Sequence, residues 1–180
     1  MTGPASLLLD FVNTRDIQPD TDELGTPGEL DAWLAAHDLV PAGTRHAKAA
    51  ELSAAITLRE GLRAALLAHH GPGQQALPSA LDDVLAELPV RVSFDAGGAA
   101  LKPATGGIMG GLSGLAAAIM ETVADGTWPR LKVCLEETCR TAFLDTSKNR
   151  SRSWCSMQVC GNRTKTRSYR ARRRSGETAG

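Results

Sequence analysis

The spacing of apolar residues along the chain predicts a mostly helical N-terminal part. In the longest periodic segment, residues 44–69, apolar side chains such as Leu52, Ile56, Leu62 and Leu66 recur at helical spacing on one face. This pattern is typical of an amphipathic helix that packs one side against a core. A second, shorter helix is predicted over residues 78–88, where leucine and valine recur in the same way.

A further helix is predicted to start at Thr26. Threonine is a good N-cap, Pro27 suits the first helical position, and Glu29 stands three residues after the cap. Ahead of this helix, residues 15–25 are polar and are predicted to form a loop. The apolar run at residues 7–14 is too short for its periodicity to distinguish a strand from a helix.

The pattern changes after residue 89. Val90, Val92 and Phe94 alternate with polar residues, and two glycines precede a second short strand, which predicts a β-hairpin ending near residue 102. The glycine-rich stretch at 106–111 is predicted to be a turn that leads into a helix over residues 112–124. The sequence therefore predicts an α+β fold, with a mainly helical N-terminal domain that contains one hairpin.

Composition adds an expectation about location. Hydrophobic residues make up 42% of the chain and aromatic residues only 4%, so the core must consist largely of leucine, alanine and valine. We expect no apolar stretch close to the roughly 18–20 residues that span a bilayer. The apolar run at residues 7–12 contains Asp10 and follows no basic residue, so it does not predict a signal peptide. We therefore expect a cytoplasmic protein with no membrane partner.

The distribution of charge divides the chain into two parts. Residues 1–128 contain 7 basic and 16 acidic residues, a balance of −9, whereas residues 129–180 contain 13 basic and 4 acidic residues, a balance of +9. Such asymmetry indicates a basic tail or small domain with a polyanionic partner. The switch coincides with a predicted break at Pro129. We therefore predict an acidic domain over residues 1–128 and a basic one over 129–180.

The second part contains all four cysteines, Cys134, Cys139, Cys155 and Cys160. Two close pairs separated by a longer loop are typical of a four-cysteine zinc site, because each pair can offer two thiolates to one ion from opposite sides. All four positions would be filled by protein, so a single structural Zn2+ ion is predicted rather than a catalytic one. Two disulfides, or four unrelated buried thiols, are the alternatives.

A strongly basic arm follows the last cysteine. Arg163, Arg167, Arg170 and Arg174 would lie along one stripe of a helix, and arginine suits both phosphates and guanine edges. A solvated, disordered tail is the alternative. Asn162 is predicted either to read adenine or to cap the helix. The predicted nucleic-acid contacts are Lys148, Arg150, Arg152, Asn162, Arg163, Lys165, Arg167, Arg170, Arg172, Arg173 and Arg174.

The N-terminal part holds polar residues within apolar segments, namely Asp10, Asn13, Thr14, Arg59 and Arg63. Buried polar groups need partners, and two arrangements would supply them. One is a pocket that binds an unidentified small ligand. The other is a buried structural network in which Asp10 pairs with an arginine while Asn13 and Thr14 cap a helix.

These residues carry two family resemblances. The C-terminal part resembles the CGNR zinc-finger family through its Cys160–Arg163 motif and its flanking Phe143, Asp145 and Trp154. The N-terminal part is similar to the ABATE domain, through residues 9–14, Leu30, residues 33–34 and residues 58–63. The resemblance implies a bacterial, stress-responsive transcription regulator with a ligand-sensing N-terminal domain.

Three functions follow from these observations. The leading hypothesis is a regulator that binds duplex DNA through the finger, and dimerisation would add the specificity that one small unit lacks. The second is RNA binding, with Trp154 and Tyr169 stacking on unpaired bases. The third is an enzyme with its site in the N-terminal domain. No catalytic residue is predicted, because His37, His46, His69 and His70 stand in no recognised catalytic motif.

Overall fold

The computed structural model describes residues 3–71, 78–95 and 97–177, with the side chains of Asp95 and of residues 171–177 outside that description. The described elements are α1 (Pro4–Asn13), β1 (Arg15–Asp16), β2 (Thr21–Asp22), α2 (Pro27–Ala36), α3 (Ala49–Ala68), α4 (Ser79–Ala86), β3 (Val90–Asp95), β4 (Gly98–Pro103), α5 (Gly107–Ala124), β5 (Leu131–Val133), β6 (Ala142–Leu144) and α6 (Asn162–Glu177). The predicted α+β class, with a helical N-terminal part, is confirmed.

The apolar run at residues 7–14 belongs to a helix. Pro4 occupies its first turn, and Leu8, Phe11 and Val12, at spacings of three and one, are its buried side chains. Proline is pre-organised for a first helical position, and burial at helical spacing gives the segment an apolar stripe. The polar segment that follows is not entirely loop, because residues 15–16 pair with residues 21–22 in a short antiparallel hairpin.

Helices α2 and α3 contribute many of the core side chains. Thr26 caps α2 as predicted, with its hydroxyl accepting a hydrogen bond from the Glu29 amide at 3.3 Å. Helix α3 starts at Ala49 rather than Thr44. The residues just before Ala49 are instead hydrogen-bonded to α2, because the Asp31 carboxylate accepts from the amide of Ala47 at 2.8 Å. Helix α4 confirms the helix predicted over residues 78–88.

The predicted hairpin is confirmed, with Val92 opposite Leu101 and Phe94 opposite Ala99. The helix after it was predicted to start at residue 112 and in fact starts at Gly107. Gly107 keeps a turn-like φ of +69° at the start of the helix, whereas Gly110 and Gly111 lie inside the helix at sites of close packing. A Cβ on Gly111 would lie 2.9 Å from Cγ1 of Val40, and one on Gly110 would lie 2.3 Å from the carbonyl oxygen of Thr105.

Helix α5 corrects the expectation that no long apolar stretch exists. Its 18 residues have a mean hydropathy of 1.4, which is long and apolar enough to cross a bilayer by length and composition alone. Half of the helix is buried within the protein, and core helices pass the same test. Packing against the other helices therefore accounts for its apolar composition.

Strands β5 and β6 bring the C-terminal part onto the N-terminal part. They pair antiparallel, with Leu131 opposite Leu144 and Val133 opposite Ala142. Leu131, Val133 and Ala142 belong to the same buried cluster as the core residues of the helices. The cysteines form a separate small cluster with Phe143 and Trp154. The boundary at residues 128/129 remains a prediction.

Candidate metal centre and basic arm

The four cysteines, far apart in sequence, come together at one point. Their Sγ atoms all lie within 4.8 Å of one another. The Sγ atom of Cys155 lies 3.5 Å from that of Cys139 and 3.7 Å from that of Cys160. A disulfide bond would need about 2.05 Å. Zinc–sulfur bonds of about 2.3 Å at tetrahedral angles place sulfurs roughly 3.8 Å apart, so the four thiols fit a zinc site with four thiolate ligands.

Two tight turns position these sulfurs, and we call them the first and the second zinc turn. In the first, the carbonyl oxygen of Glu136 accepts from the amides of Cys139 at 2.9 Å and Arg140 at 3.1 Å, and Arg140 has a φ of +54°. In the second, Ser156 caps a single π-helical turn, residues 157–161, that leads directly into α6. The second turn makes Cys160 part of the start of the basic helix.

The crowding of four sulfurs makes their thiolate forms unfavourable unless a cation lies among them. Burial and the neighbouring sulfurs raise the pKa of the Cys155 thiol, and they raise the pKa of Cys160 to about 11. Four thiolates at this distance need a positive ion between them, and binding that ion displaces the protons. The cluster therefore has the ligand chemistry of zinc, and an ion held there would have its four positions filled by protein.

A buried ion pair that the sequence analysis missed supports the finger loop. The side chain of Lys132 is 3% exposed and that of Asp145 is fully buried, with Nζ and Oδ2 2.8 Å apart. Asp145 also accepts from the amides of Ser147 and Arg152, both at 2.9 Å. Burial raises the pKa of Asp145, but these donors outweigh it and the pKa is lowered. In the sequence, the position of this lysine between two apolar residues of β5 could have indicated a buried ion pair.

The N-terminal part holds the finger through side-chain contacts. The carboxamide of Asn13 pairs with the backbone of Ala142, with Oδ1 accepting at 2.7 Å and Nδ2 donating at 3.0 Å. Arg63 donates to the carbonyl oxygens of Val12 at 2.7 Å and of Arg140, in the first zinc turn, at 2.9 Å. These two residues join α1 and α3 to β6 and to the first zinc turn.

Two histidines complete this contact. The ring nitrogens of His69 and His70 lie 2.7 and 2.6 Å from the carbonyl oxygens of Leu131 and Val133, on the edge of β5. Burial lowers the pKa of both rings, so they are neutral at pH 7 and donate one N–H each. The pair also stands at the C-terminal end of α3.

The residues predicted to form a ligand pocket separate into two groups. Asp10 and Asn13 line an open cleft of about 650 Å³ between α1 and α2. The others lie in a buried network. Arg59 pairs with both carboxylate oxygens of Asp22, at 2.6 and 2.9 Å, and donates to Thr14 at 3.3 Å. Arg63 makes the contacts described above.

The alternative, a purely structural network, also needs correction. Within the described part of the chain, Asp10 makes no ion pair with an arginine, and its carboxylate lies 4.0 Å from Nε2 of His37. Thr14 does cap a helix, at the C-terminal end of α1, where its hydroxyl donates to the carbonyl oxygen of Phe11 at 2.8 Å. The partners of Asn13 and Arg59 lie in other segments of the chain.

The predicted nucleic-acid contacts also differ in their surroundings. Arg152 lies against the finger, 4.9 Å above the Phe143 ring, and donates to the carbonyl oxygens of Trp154 and Cys155. Arg163 and Arg167 bond to protein groups. Among residues with described side chains, four basic groups of the set are exposed and have no hydrogen-bonded partner: Lys148, Arg150, Lys165 and Arg170.

The remaining residues of the predicted nucleic-acid contacts lie in the basic arm. Asn162 is exposed and donates to the carbonyl oxygen of Gln158 at 2.9 Å, and the N-cap is Ser156, so Asn162 does not cap the helix. The backbone of Arg172, Arg173 and Arg174 continues α6, while their side chains lie outside the described part. The predicted basic helix is therefore present and starts at the metal centre.

Comparison with known families finds two matches, one in each part of the chain. A family model described as "CGNR zinc finger" matches residues 130–173. A second, the ABATE model, described as "Putative stress-induced transcription regulator", matches residues 5–126. No curated protein matches the chain.

Proposed function

The chain belongs to the ABATE family and carries a CGNR zinc finger, and from this premise we propose that it regulates transcription by binding duplex DNA through residues 129–180. The observation that carries the proposal is the set of four exposed basic side chains, Lys148, Arg150, Lys165 and Arg170, in the same segment as a closed thiol cluster. A basic helix that starts at a metal site is typical of small finger domains that bind nucleic acid. A DNA partner would place the protein in the cytoplasm, at the nucleoid.

Duplex DNA is expected to bind with strongly salt-dependent affinity. Neutralising roughly six phosphates would give a plot of log affinity against log salt with a slope of about −5. Fluorescence anisotropy with a labelled duplex, repeated with single-stranded and structured RNA at the same salt, measures the slope and the preference. Tighter binding to RNA would overturn the choice of DNA, and exposed Tyr169 would then supply stacking.

We also propose that two copies bind together. Hairpin β3–β4 leaves Val92 62% and Phe94 80% exposed, which is unusual for large apolar side chains. A second copy covering this hairpin would present two fingers to one duplex. The stoichiometry of the complex in the same titration tests this part of the proposal.

The ligand-sensing role is proposed for the cleft between α1 and α2. Its lining combines the carboxylates of Asp10, Glu23 and Glu29 with the stacked rings of Trp33 and His37, whose centroids are 3.9 Å apart. Acidic and aromatic side chains together suit an organic cation. Asn13 also lines the cleft and bonds to Ala142 of the finger. A ligand that moves Asn13 would therefore change the position of the finger against the N-terminal part.

Asp10→Asn is expected to weaken the binding of a small amine by tenfold or more, because the exposed carboxylate is lost from the cleft. Calorimetric titration with simple primary and quaternary amines measures this. Glu121→Gln is the control, since that exposed residue of α5 does not line the cleft. Equal weakening in both variants would show that the amines bind only through the general negative charge.

A further inference from the structure

The basic helix α6 is attached to the finger by one buried carboxylate. The side chain of Glu136 is fully buried and accepts three hydrogen bonds, from Thr138 at 3.0 Å, Thr164 at 2.9 Å and Arg167 at 2.7 Å. Burial raises its pKa, but the three donors outweigh this and lower the pKa to about 2. Glu136 therefore connects the first zinc turn to two residues on one side of α6.

Arg163 strengthens the same attachment. Its Nη1 atom donates to Thr138 at 3.1 Å and to Gln18, in the N-terminal part, at 3.0 Å. Arg163 and Arg167 are four residues apart and so lie on one face of the helix. The first two arginines of the predicted DNA-binding stripe are thus both engaged by the protein.

A phosphate cannot easily draw Arg167 away from this partner. Leaving a buried carboxylate unpaired is strongly unfavourable, so the charge of Arg167 remains neutralised by Glu136. At 100° per residue, Lys165 and Tyr169 lie on the opposite side of α6 from Arg163 and Arg167. Both are exposed. This opposite side carries a free charge and a ring that a nucleic acid can reach.

We infer that nucleic acid contacts α6 through its free side chains, Lys165, Tyr169 and Arg170, and that Glu136 sets the direction of the helix by holding Arg167. Arg163 and Arg167 are then positioning residues rather than phosphate contacts. This inference rests on the proposed nucleic-acid binding and adds which side chains of α6 perform it.

Matched charge removals in the full chain test the inference. The salt dependence of duplex binding is measured for Lys165→Gln and Arg167→Gln. Lys165→Gln is expected to reduce the slope by about 0.9, the value for one phosphate contact. Arg167→Gln is expected to leave the slope unchanged while lowering the thermal stability of the zinc-loaded protein. An equal loss of slope in both variants would overturn the inference.

Glu136→Gln tests the same attachment from the carboxylate side. Glutamine keeps the shape of the side chain but removes the charge that holds Arg167, so the affinity for the duplex should fall about tenfold, while the slope and the zinc content stay unchanged. Glu137→Gln is the control, because that neighbouring carboxylate is exposed. An unchanged affinity in the Glu136 variant would contradict the assignment. Failure of the native chain to show any salt-dependent binding would instead overturn the proposed function, and the inference with it.

Discussion

Cys155→Ser is expected to abolish zinc binding and to destabilise the whole chain, not only the finger. Structural zinc sites contribute about 10–16 kcal/mol of apparent binding free energy at pH 7, and a serine hydroxyl is a poor replacement for a thiolate. The strands next to the site place Leu131, Val133 and Ala142 in the core of the helical part. Loss of the finger therefore exposes part of that core to water.

The measurement is thermal unfolding followed by far-ultraviolet circular dichroism, with the metal content determined by mass spectrometry. A loss of about 5 kcal/mol or more would lower the Tm by roughly 10–20 °C in a chain of this size. Ser151→Ala, in the same loop, is the control and should keep both zinc and Tm. A zinc-free variant whose helical transition stays at the native temperature would show that the shared core does not couple the two parts.

The coupling of the two parts is also what the sequence could not predict. Cysteine spacing is a local pattern with a specific geometric meaning, so the metal ligands could be proposed from it. The pairing of Asn13 with Ala142, 129 residues away, has no local signal. Polar residues within apolar segments indicated that Asn13, Thr14, Arg59 and Arg63 needed partners, but they did not indicate whether those partners were ligand or protein.

The same limit applies to the basic arm. Helical periodicity predicted that Arg163 and Arg167 share a face, and they do. Which face meets solvent depends on Glu136, a residue that looks like any surface carboxylate in the sequence. For α5, the glycines were interpreted as a turn because glycine disfavours helices in isolation. Packing against Val40 reverses that preference, because only a residue without a side chain fits there.

Asp145→Asn is expected to cost about 3–5 kcal/mol, because it leaves the ammonium of Lys132 buried without its counter-ion. Urea unfolding of the zinc-loaded protein measures the loss. Asp20→Asn is the matched control. Asp20 pairs with Arg15 at the surface, its side chain is 80% exposed, and asparagine tolerates its positive φ. An exposed pair of this kind contributes at most about 1 kcal/mol.

A second substitution separates loss of the charge pair from loss of packing. Lys132→Met in the Asp145→Asn background removes the unpaired charge and should restore about half of the lost stability or more. Because the pKa of Asp145 is lowered from its usual 3.8, the stability contributed by the pair is fully present above that value and is lost only as the pH falls below it. The cost of Asp145→Asn should therefore be equal at about pH 6 and about pH 8. A double variant no more stable than the single one would show that hydrogen bonds to Ser147 and Arg152, not the charge of Lys132, make Asp145 indispensable to the finger.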